Sequence, residues 1–231
     1  MVFRIDLKIF IFLIILYCTR QIEIYSIIML FAFLHELGHL LAGILLKMKV
    51  KGISILPTGF SIEFNLTELD YNKKILKSNI LEVKKILVAL AGPFVNILVI
   101  AITLIFQNEK LSNIIYANII IVIFNLLPIY PLDGGRILKS LLCLTIKRKK
   151  AIWYTNIISN AMLFLITSLS SIYIYYCKNI AILAILIYLW YLVFRQNKIC
   201  KIKLRLYEAL DNLWKKTSKK ICTINKIYVI I

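Results

Sequence analysis

Long apolar runs, repeated along the whole chain, limit the fold more than any other feature of this sequence. Of the 231 residues, 61% are hydrophobic and the mean hydropathy is +0.86, whereas a soluble domain is roughly half apolar. A run of about 20 apolar residues crosses a bilayer as a helix, because a helix satisfies its backbone polar groups internally. The sequence therefore predicts an all-α polytopic membrane protein.

Polar or charged stretches separate the apolar segments, which are residues 7–18, 25–46, 86–106, 114–127, 152–176 and 180–194. The first and fourth are shorter than a full span. We expect the fourth to continue through a proline-containing break into residues 136–146, with its irregular backbone covered by protein or by a wet cavity. About six transmembrane segments are expected. Residues 1–195 would form one membrane domain, and residues 196–231 a basic amphipathic tail.

The basic residues are distributed unevenly between the two sides of this arrangement. The formal net charge is +18, and all but three of the 29 Lys and Arg residues fall on the side of the N-terminus; the exceptions are Arg20, Lys110 and Lys178. Cytoplasmic segments of membrane proteins carry such an excess. We therefore expect both termini in the cytoplasm and a basic surface that meets the lipid bilayer. The charge gives no reason to invoke a nucleic acid.

Residues 33–43, "FLHELGHLLAG", place His35, Glu36 and His39 inside an apolar segment. Ionisable groups at the centre of a bilayer cost about 2.5–3.5 kcal/mol each and tend to be functional. Two histidines four residues apart on a helix differ by about 40° in direction, so both can reach one zinc ion. Glu36 is adjacent and could act as a general base without binding the metal, as in the H-E-x-x-H pattern of metalloproteases.

A catalytic zinc ion needs a third protein ligand and an open position for water. The chain has no other histidine. The candidate is Asp133 in "NLLPIYPLDGG", residues 125–135, where a carboxylate in a broken helix at membrane depth would pair with a cation. The alternative is that Asp133 only caps the helix that follows it.

Three motifs resemble the site-2 protease family of intramembrane zinc metalloproteases: HELGH at residues 35–39, AGPFVN at 91–96 and NLLPIYPLDGG at 125–135. Their order and separation also agree with the family. The resemblance implies an intramembrane metalloprotease domain over residues 1–195, a zinc cofactor bound by His35, His39 and Asp133, and Glu36 as the general base.

Within that family the chain is most similar to a sporulation branch that cleaves the membrane-associated precursor of a late sigma factor. The resemblance implies a substrate of that kind, inhibitor subunits in the membrane, and a place in the bacterial cell membrane or the membrane that surrounds the forespore. Members of the branch usually carry a nucleotide-sensing C-terminal domain. The residues after the last predicted span are too few for one, so regulation by nucleotide is not expected.

Two asparagines and one loop carry weaker predictions. Asn96 and Asn125 could line the wet cavity and contact the backbone of a substrate, although Asn96 beside Ala91-Gly92-Pro93 also fits simple helix packing. The loop after the metal-binding helix is predicted to form a short β-hairpin, with strands at residues 53–56 and 61–64. An exposed strand there could bind an extended substrate by strand addition; otherwise the hairpin is only a connector.

Other functions fit parts of the pattern. A site-2 protease could act instead on an anti-sigma factor or a leftover signal peptide. A membrane metal transporter or a metal-binding scaffold is a different class. A transporter would be expected to place ligands on several helices, and it would not need Glu36. A catalytically silent scaffold would be expected to have lost one of the four residues His35, Glu36, His39 and Asp133.

Overall fold

The computed structural model describes residues 2–5, 22–56, 59–65, 75–106, 112–177 and 180–228. The predicted apolar segment at residues 7–18 lies outside this described part. The chain divides into two compact units, Met1–Thr145 and Ile146–Ile231. The first unit contains three strands and four helices: β1 (Val2–Ile5), α1 (Ile22–Leu45), β2 (Lys49–Leu56), β3 (Gly59–Asn65), α2 (Ile75–Ile105), α3 (Ser112–Leu126) and α4 (Asp133–Thr145).

Helix α1 carries the H-E-x-x-H pattern and has a well-defined C-terminal end. Lys47 has a positive φ of 56°. The N–H of Met48 donates to the Gly43 carbonyl at 2.9 Å, and that of Lys47 donates to the Ile44 carbonyl at 2.9 Å. This is the bond pattern of a Schellman motif, which satisfies the last carbonyl groups of a helix. The ammonium of Lys84 on α2 also donates to the Leu46 carbonyl at 2.9 Å, so α2 holds the end of α1.

Helices α1 and α2 approach each other closely. A Cβ atom on Gly38 of α1 would lie 2.8 Å from Val95 Cγ2 and 2.9 Å from the Ala91 carbonyl oxygen of α2. Membrane helices use such small residues because they associate through close van der Waals packing. Helix α2 begins at Ile75, well before the predicted residue 86. Its first turns contain charged residues that a hydropathy criterion excludes, among them Glu82, which accepts from Lys85 at 2.8 Å.

The strands form one three-stranded sheet in the order β1-β2-β3. Strands β2 and β3 are antiparallel and follow α1, and they include both strand segments that were expected there. Strand β1 pairs with β2 in parallel, with Val2 opposite Gly52 and Ile5 opposite Ile55. The expectation of an all-α fold with only a hairpin omitted β1, because four residues are too few to show a strand pattern in the sequence. Within the described residues, β3 pairs with β2 alone.

Three helical stretches of the described residues are long and apolar enough to cross a membrane: Ser26–Leu45, Asn79–Ile105 and Arg148–Ile172. Helix α3 is a shorter apolar helix. The described part of the chain is therefore that of a mainly helical membrane protein.

The second unit consists of two helices that pack against each other, α5 (Arg148–Cys177) and α6 (Ile180–Tyr228). Asn160 and Asn197 exchange amide hydrogen bonds of 3.3 and 3.0 Å across this pair. Helix α6 runs without interruption from its apolar first part into the basic residues, so the boundary expected at residue 196 falls inside one helix.

Candidate metal centre

Both histidines of α1 are held from behind by a hydrogen bond to their Nδ1 atom. His39 Nδ1 lies 2.7 Å from the Val88 carbonyl oxygen of α2. Since a carbonyl only accepts, this nitrogen carries the proton and donates. His35 Nδ1 lies 2.9 Å from Asn96 Oδ1, and Asn96 donates its amide nitrogen to Asn118 Oδ1 at 2.9 Å. His35 therefore also donates through Nδ1. Both rings are buried, with 2% of each residue exposed.

The opposite nitrogens of the two rings meet one carboxylate oxygen. His35 Nε2 and His39 Nε2 lie 2.9 and 3.0 Å from Asp133 Oδ2, and 3.1 Å from each other. A neutral imidazole that donates through Nδ1 has a lone pair on Nε2. Three lone-pair atoms thus face one another in a buried place. One proton could join two of them, but only a cation could contact all three.

These three atoms suit a metal ion in size as well as in kind. Tetrahedral ligands about 2.0–2.1 Å from zinc are separated by roughly 3.3 Å, so the observed separations need to widen by only a few tenths of an ångström. Gly92 of α2 leaves the required space. A Cβ atom there would lie 2.5 Å from His39 Nε2 and 2.6 Å from His35 Nε2, in the region that a shared ion would occupy.

Asp133 reaches the histidines because of the irregular backbone between α3 and α4. The segment between these helices contains a cis peptide bond between Tyr130 and Pro131. A Cβ atom on Gly134 would collide with the Leu126 carbonyl, and one on Gly135 with the Tyr130 backbone. The two glycines therefore allow α4 to begin directly against the end of α3. The prediction that a broken helix presents this carboxylate agrees with the geometry.

The second oxygen of the Asp133 carboxylate faces a positive charge. Asp133 Oδ1 lies 3.6 Å from Arg136 Nη1, one turn along α4. Arg136 thus stabilises the ionised form of the carboxylate from outside, while Oδ2 faces the histidines. Among the described residues, His35, His39 and Asp133 form the cluster of side chains able to hold a metal ion.

A comparison with known proteins agrees with this geometry. The profile of peptidase family M50 matches residues 24–109 and 106–169, which include all three metal-facing side chains. The chain belongs to peptidase family M50. Its described residues also include helices long and apolar enough to cross a membrane.

Two individual proteins resemble this M50 chain. It is 26% identical over 126 residues to stage IV sporulation protein FB of Bacillus subtilis strain 168, an alignment that covers 52% of this chain and 40% of that protein's length. The alignment therefore spans less than half of that relative. The site-2 protease from Methanocaldococcus jannaschii has the same fold, with a TM-score of 0.60, 20% identity, and coverage of 84% of this chain and 89% of the other.

The remaining predicted site residues are Glu36, Asn96 and Asn125, and the structure places each of them in a different environment. Glu36 follows His35 on α1 and is half-buried. Asn96 was expected to contact substrate, but its side chain is only 1% exposed and its amide is bonded to His35 and Asn118. Its polar atoms are therefore engaged within the protein. Asn125 is half-buried near the end of α3, and its side chain makes no hydrogen bond to any described residue.

The sequence analysis missed the contributions of Gly92 and Asn118. Gly92 was considered only as a small residue for helix packing, and nothing in the sequence places it opposite the histidines. Asn118 could have been found, because a polar amide in the apolar run "NIIYANIIIVIFNLL" is costly unless it is bonded.

We expect Gly92→Ala to abolish metal binding, because the added methyl group would occupy the space between the two Nε2 atoms. The measurement is the metal-to-protein ratio of the purified, detergent-solubilised chain. Gly38→Ala is the matched control: its methyl group meets Val95 and the Ala91 backbone instead, so it should lower Tm while the folded protein keeps its metal. A full complement of metal in the folded Gly92→Ala protein would contradict this assignment.

Proposed function

We propose that this chain is an intramembrane zinc endopeptidase, with zinc bound by His35, His39 and Asp133. The observation that carries the proposal is the buried meeting of two Nε2 lone pairs and one carboxylate oxygen, each within 3.1 Å of the others. Imidazole nitrogen and carboxylate oxygen are ligands that zinc accepts, and three protein ligands leave a fourth position open for catalysis.

The chain's own residues then divide the chemistry between them. Bound zinc would lower the pKa of a water molecule and polarise the scissile carbonyl group. Glu36, beside His35 and half-buried, accepts the proton from the attacking water and passes it to the leaving amine. His35 and His39 are prevented from turning by the bonds to their Nδ1 atoms. Arg136 contacts Oδ1 of Asp133, so Oδ2 is left for the metal.

The substrate class follows from the membrane and from the sporulation relative. A protease whose catalytic helix lies in an apolar segment meets substrates that are in or on the membrane. We infer a membrane-associated regulatory protein, most specifically a sigma-factor precursor of sporulation, with inhibitor subunits in the same membrane as further partners. Cleavage of an anti-sigma factor or of a leftover signal peptide would use the same site. Membership of a peptidase family favours all of these over a metal transporter or a scaffold.

The proposed topology has about six transmembrane segments, with both termini in the cytoplasm. It rests on the distribution of Lys and Arg, of which all but Arg20, Lys110 and Lys178 lie on one side. The membrane is the bacterial cell membrane or the membrane around the forespore.

Strand β3 is the proposed site of substrate docking. It has one edge without a partner strand in the described part of the chain, since β2 pairs with its other edge and β1 pairs with β2. It also packs against α1, the helix of His35 and His39. A helical substrate hides its peptide bonds in hydrogen bonds, so it must be extended before cleavage. Pairing with β3 would hold it extended with little demand on its sequence.

We expect Glu36→Gln to retain zinc and the fold but to lose cleavage, because an amide cannot accept the proton. The assay is co-expression with sigma-factor precursors from the same genome, scored by the mass of the product. Asp133→Ala is the comparison, and it should lose both zinc and cleavage, since a charged ligand is removed. Turnover by Glu36→Gln would end its assignment as the general base. Normal zinc content and cleavage in Asp133→Ala would return Asp133 to the role of a helix cap.

A second prediction concerns β3. Proline removes the N–H that an edge strand would offer, so Ile62→Pro or Phe64→Pro should impair cleavage much more than alanine at the same position. The backbone N–H and C=O groups of Ile62 and Phe64 point to one edge of β3, and those of Glu63 point to the other edge. Glu63→Pro therefore separates loss of substrate pairing from damage to the β2–β3 ladder. All variants are compared at equal zinc content. If proline is tolerated at all three positions, the hairpin is only a connector.

The third prediction tests topology with single cysteines in a chain whose own cysteines have been replaced. Lys147 precedes α5 and Asn113 lies in the first turn of α3, and both are exposed. A membrane-impermeant thiol reagent should label Asn113→Cys in intact cells, but Lys147→Cys only after permeabilisation. The opposite pattern would invert the proposed topology.

A further inference from the structure

Asn118 is a fully buried polar residue in the apolar helix α3, with 0% of its surface exposed. A buried amide is destabilising unless its donors and acceptors are bonded. Asn118 is bonded on both sides: its Nδ2 donates to the Ile114 carbonyl at 2.8 Å, and its Oδ1 accepts from Asn96 Nδ2 at 2.9 Å. It is not among the residues that face the metal position, and the catalytic chemistry described above does not use it.

The direction of every bond in this chain of contacts follows from its first member. The Ile114 carbonyl can only accept, so the Asn118 atom facing it must be the amide nitrogen. The oxygen of Asn118 then faces Asn96 and requires a donor there. Asn96 consequently presents its own oxygen to His35.

The orientation of the Asn96 amide affects the metal position because it sets the tautomer of His35. Because Asn96 Oδ1 can only accept, His35 carries its proton on Nδ1 and has a lone pair on Nε2. That lone pair faces Asp133 Oδ2 at 2.9 Å. His39 needs no such relay, since the Val88 carbonyl fixes its tautomer directly.

We propose that Asn118 is a positioning residue which, through Asn96, holds His35 in the tautomer that binds the metal. The inference rests on the proposed function in one respect, which is that a metal ion is bound at His35, His39 and Asp133. Asn118 acts without touching the ion or the substrate. Its contribution is to fix which end of the Asn96 amide points at the histidine.

Removing Asn118 would release the orientation of Asn96. In Asn118→Leu a side chain of similar size has no polar atom, so the Asn96 amide can turn and offer its nitrogen to His35 Nδ1. His35 would then carry its proton on Nε2, where it points at the metal position and blocks binding. We expect zinc affinity to fall by roughly 10- to 100-fold, the usual effect of losing a partner behind a metal-binding histidine. The measurement is competition with a zinc chelator, using the purified full chain in detergent.

Two further variants distinguish an effect on the orientation of the Asn96 amide from an effect on side-chain packing at position 118. In Asn118→Asp a protonated carboxyl group can donate to the Ile114 carbonyl and still present an acceptor to Asn96, so zinc affinity should stay close to that of the unchanged protein. In Asn118→Leu/Asn96→Asp the carboxylate at position 96 has only acceptors and keeps the proton on His35 Nδ1 without help from position 118. Affinity should recover, and Asn96→Asp should help more in this background than alone. A double-mutant cycle measures that difference.

Thr103→Val is the control for loss of a buried polar group on α2. Thr103 is 8% exposed and donates only to the Val99 carbonyl of its own helix, at 2.7 Å, so this variant should keep full zinc affinity. Tm is recorded for every variant, and Asn118→Ala replaces Asn118→Leu if the latter does not fold.

The outcomes are distinct. Unchanged zinc affinity in Asn118→Leu or Asn118→Ala overturns the inference. So does a loss that Asn96→Asp does not recover, because a packing defect would behave in that way. If the unchanged protein itself binds no zinc, the proposed function fails and the inference fails with it.

Discussion

The buried convergence of two imidazole nitrogens and one carboxylate oxygen is the constraint on which the rest of this site depends. His35 Nε2, His39 Nε2 and Asp133 Oδ2 lie within 3.1 Å of one another in a buried position, where the low local dielectric makes each polar contact strong. Each group is held there from its far side, by Asn96, by the Val88 carbonyl and by Arg136. The bonds behind these three groups thus determine which atoms they present to the shared position.

Bringing these groups together requires backbones to approach more closely than side chains normally allow. Gly38 lets α1 pack on α2, Gly92 leaves room in front of the histidines, and Gly134 lets α4 start against the end of α3. The glycines that look like ordinary membrane packing residues in the sequence therefore determine the position of the metal site. Alanine at Gly92 would enter the space in front of the histidines directly, whereas alanine at Gly38 would act on the packing of α1 against α2.

The sequence could predict those parts of the site that follow from local geometry. Two histidines one turn apart must share a face, and a carboxylate in a proline- and glycine-rich break must find a partner, so His35, His39 and Asp133 were identifiable. Asn96 was expected to contact a substrate, and the sequence alone does not show that its amide meets His35 of α1 and Asn118 of α3. The start of α2 and the strand β1 were missed for a related reason: tertiary contacts, rather than local pattern, stabilise both.

The two histidines differ in how they are anchored, and this difference links the metal site to the assembly of the helices. His39 is held by a backbone carbonyl of α2, which depends only on the contact of α1 with α2. His35 is held through Asn96 of α2 and Asn118 of α3, so its orientation requires three helices to be in register. Asp133 adds α4 through the break that follows α3. A metal ion that bound only the assembled arrangement would stabilise it by mass action. On the proposed function, metal binding and the packing of these four helices are therefore coupled, and a weakened contact at Asn118 would lower affinity for an ion that it never touches.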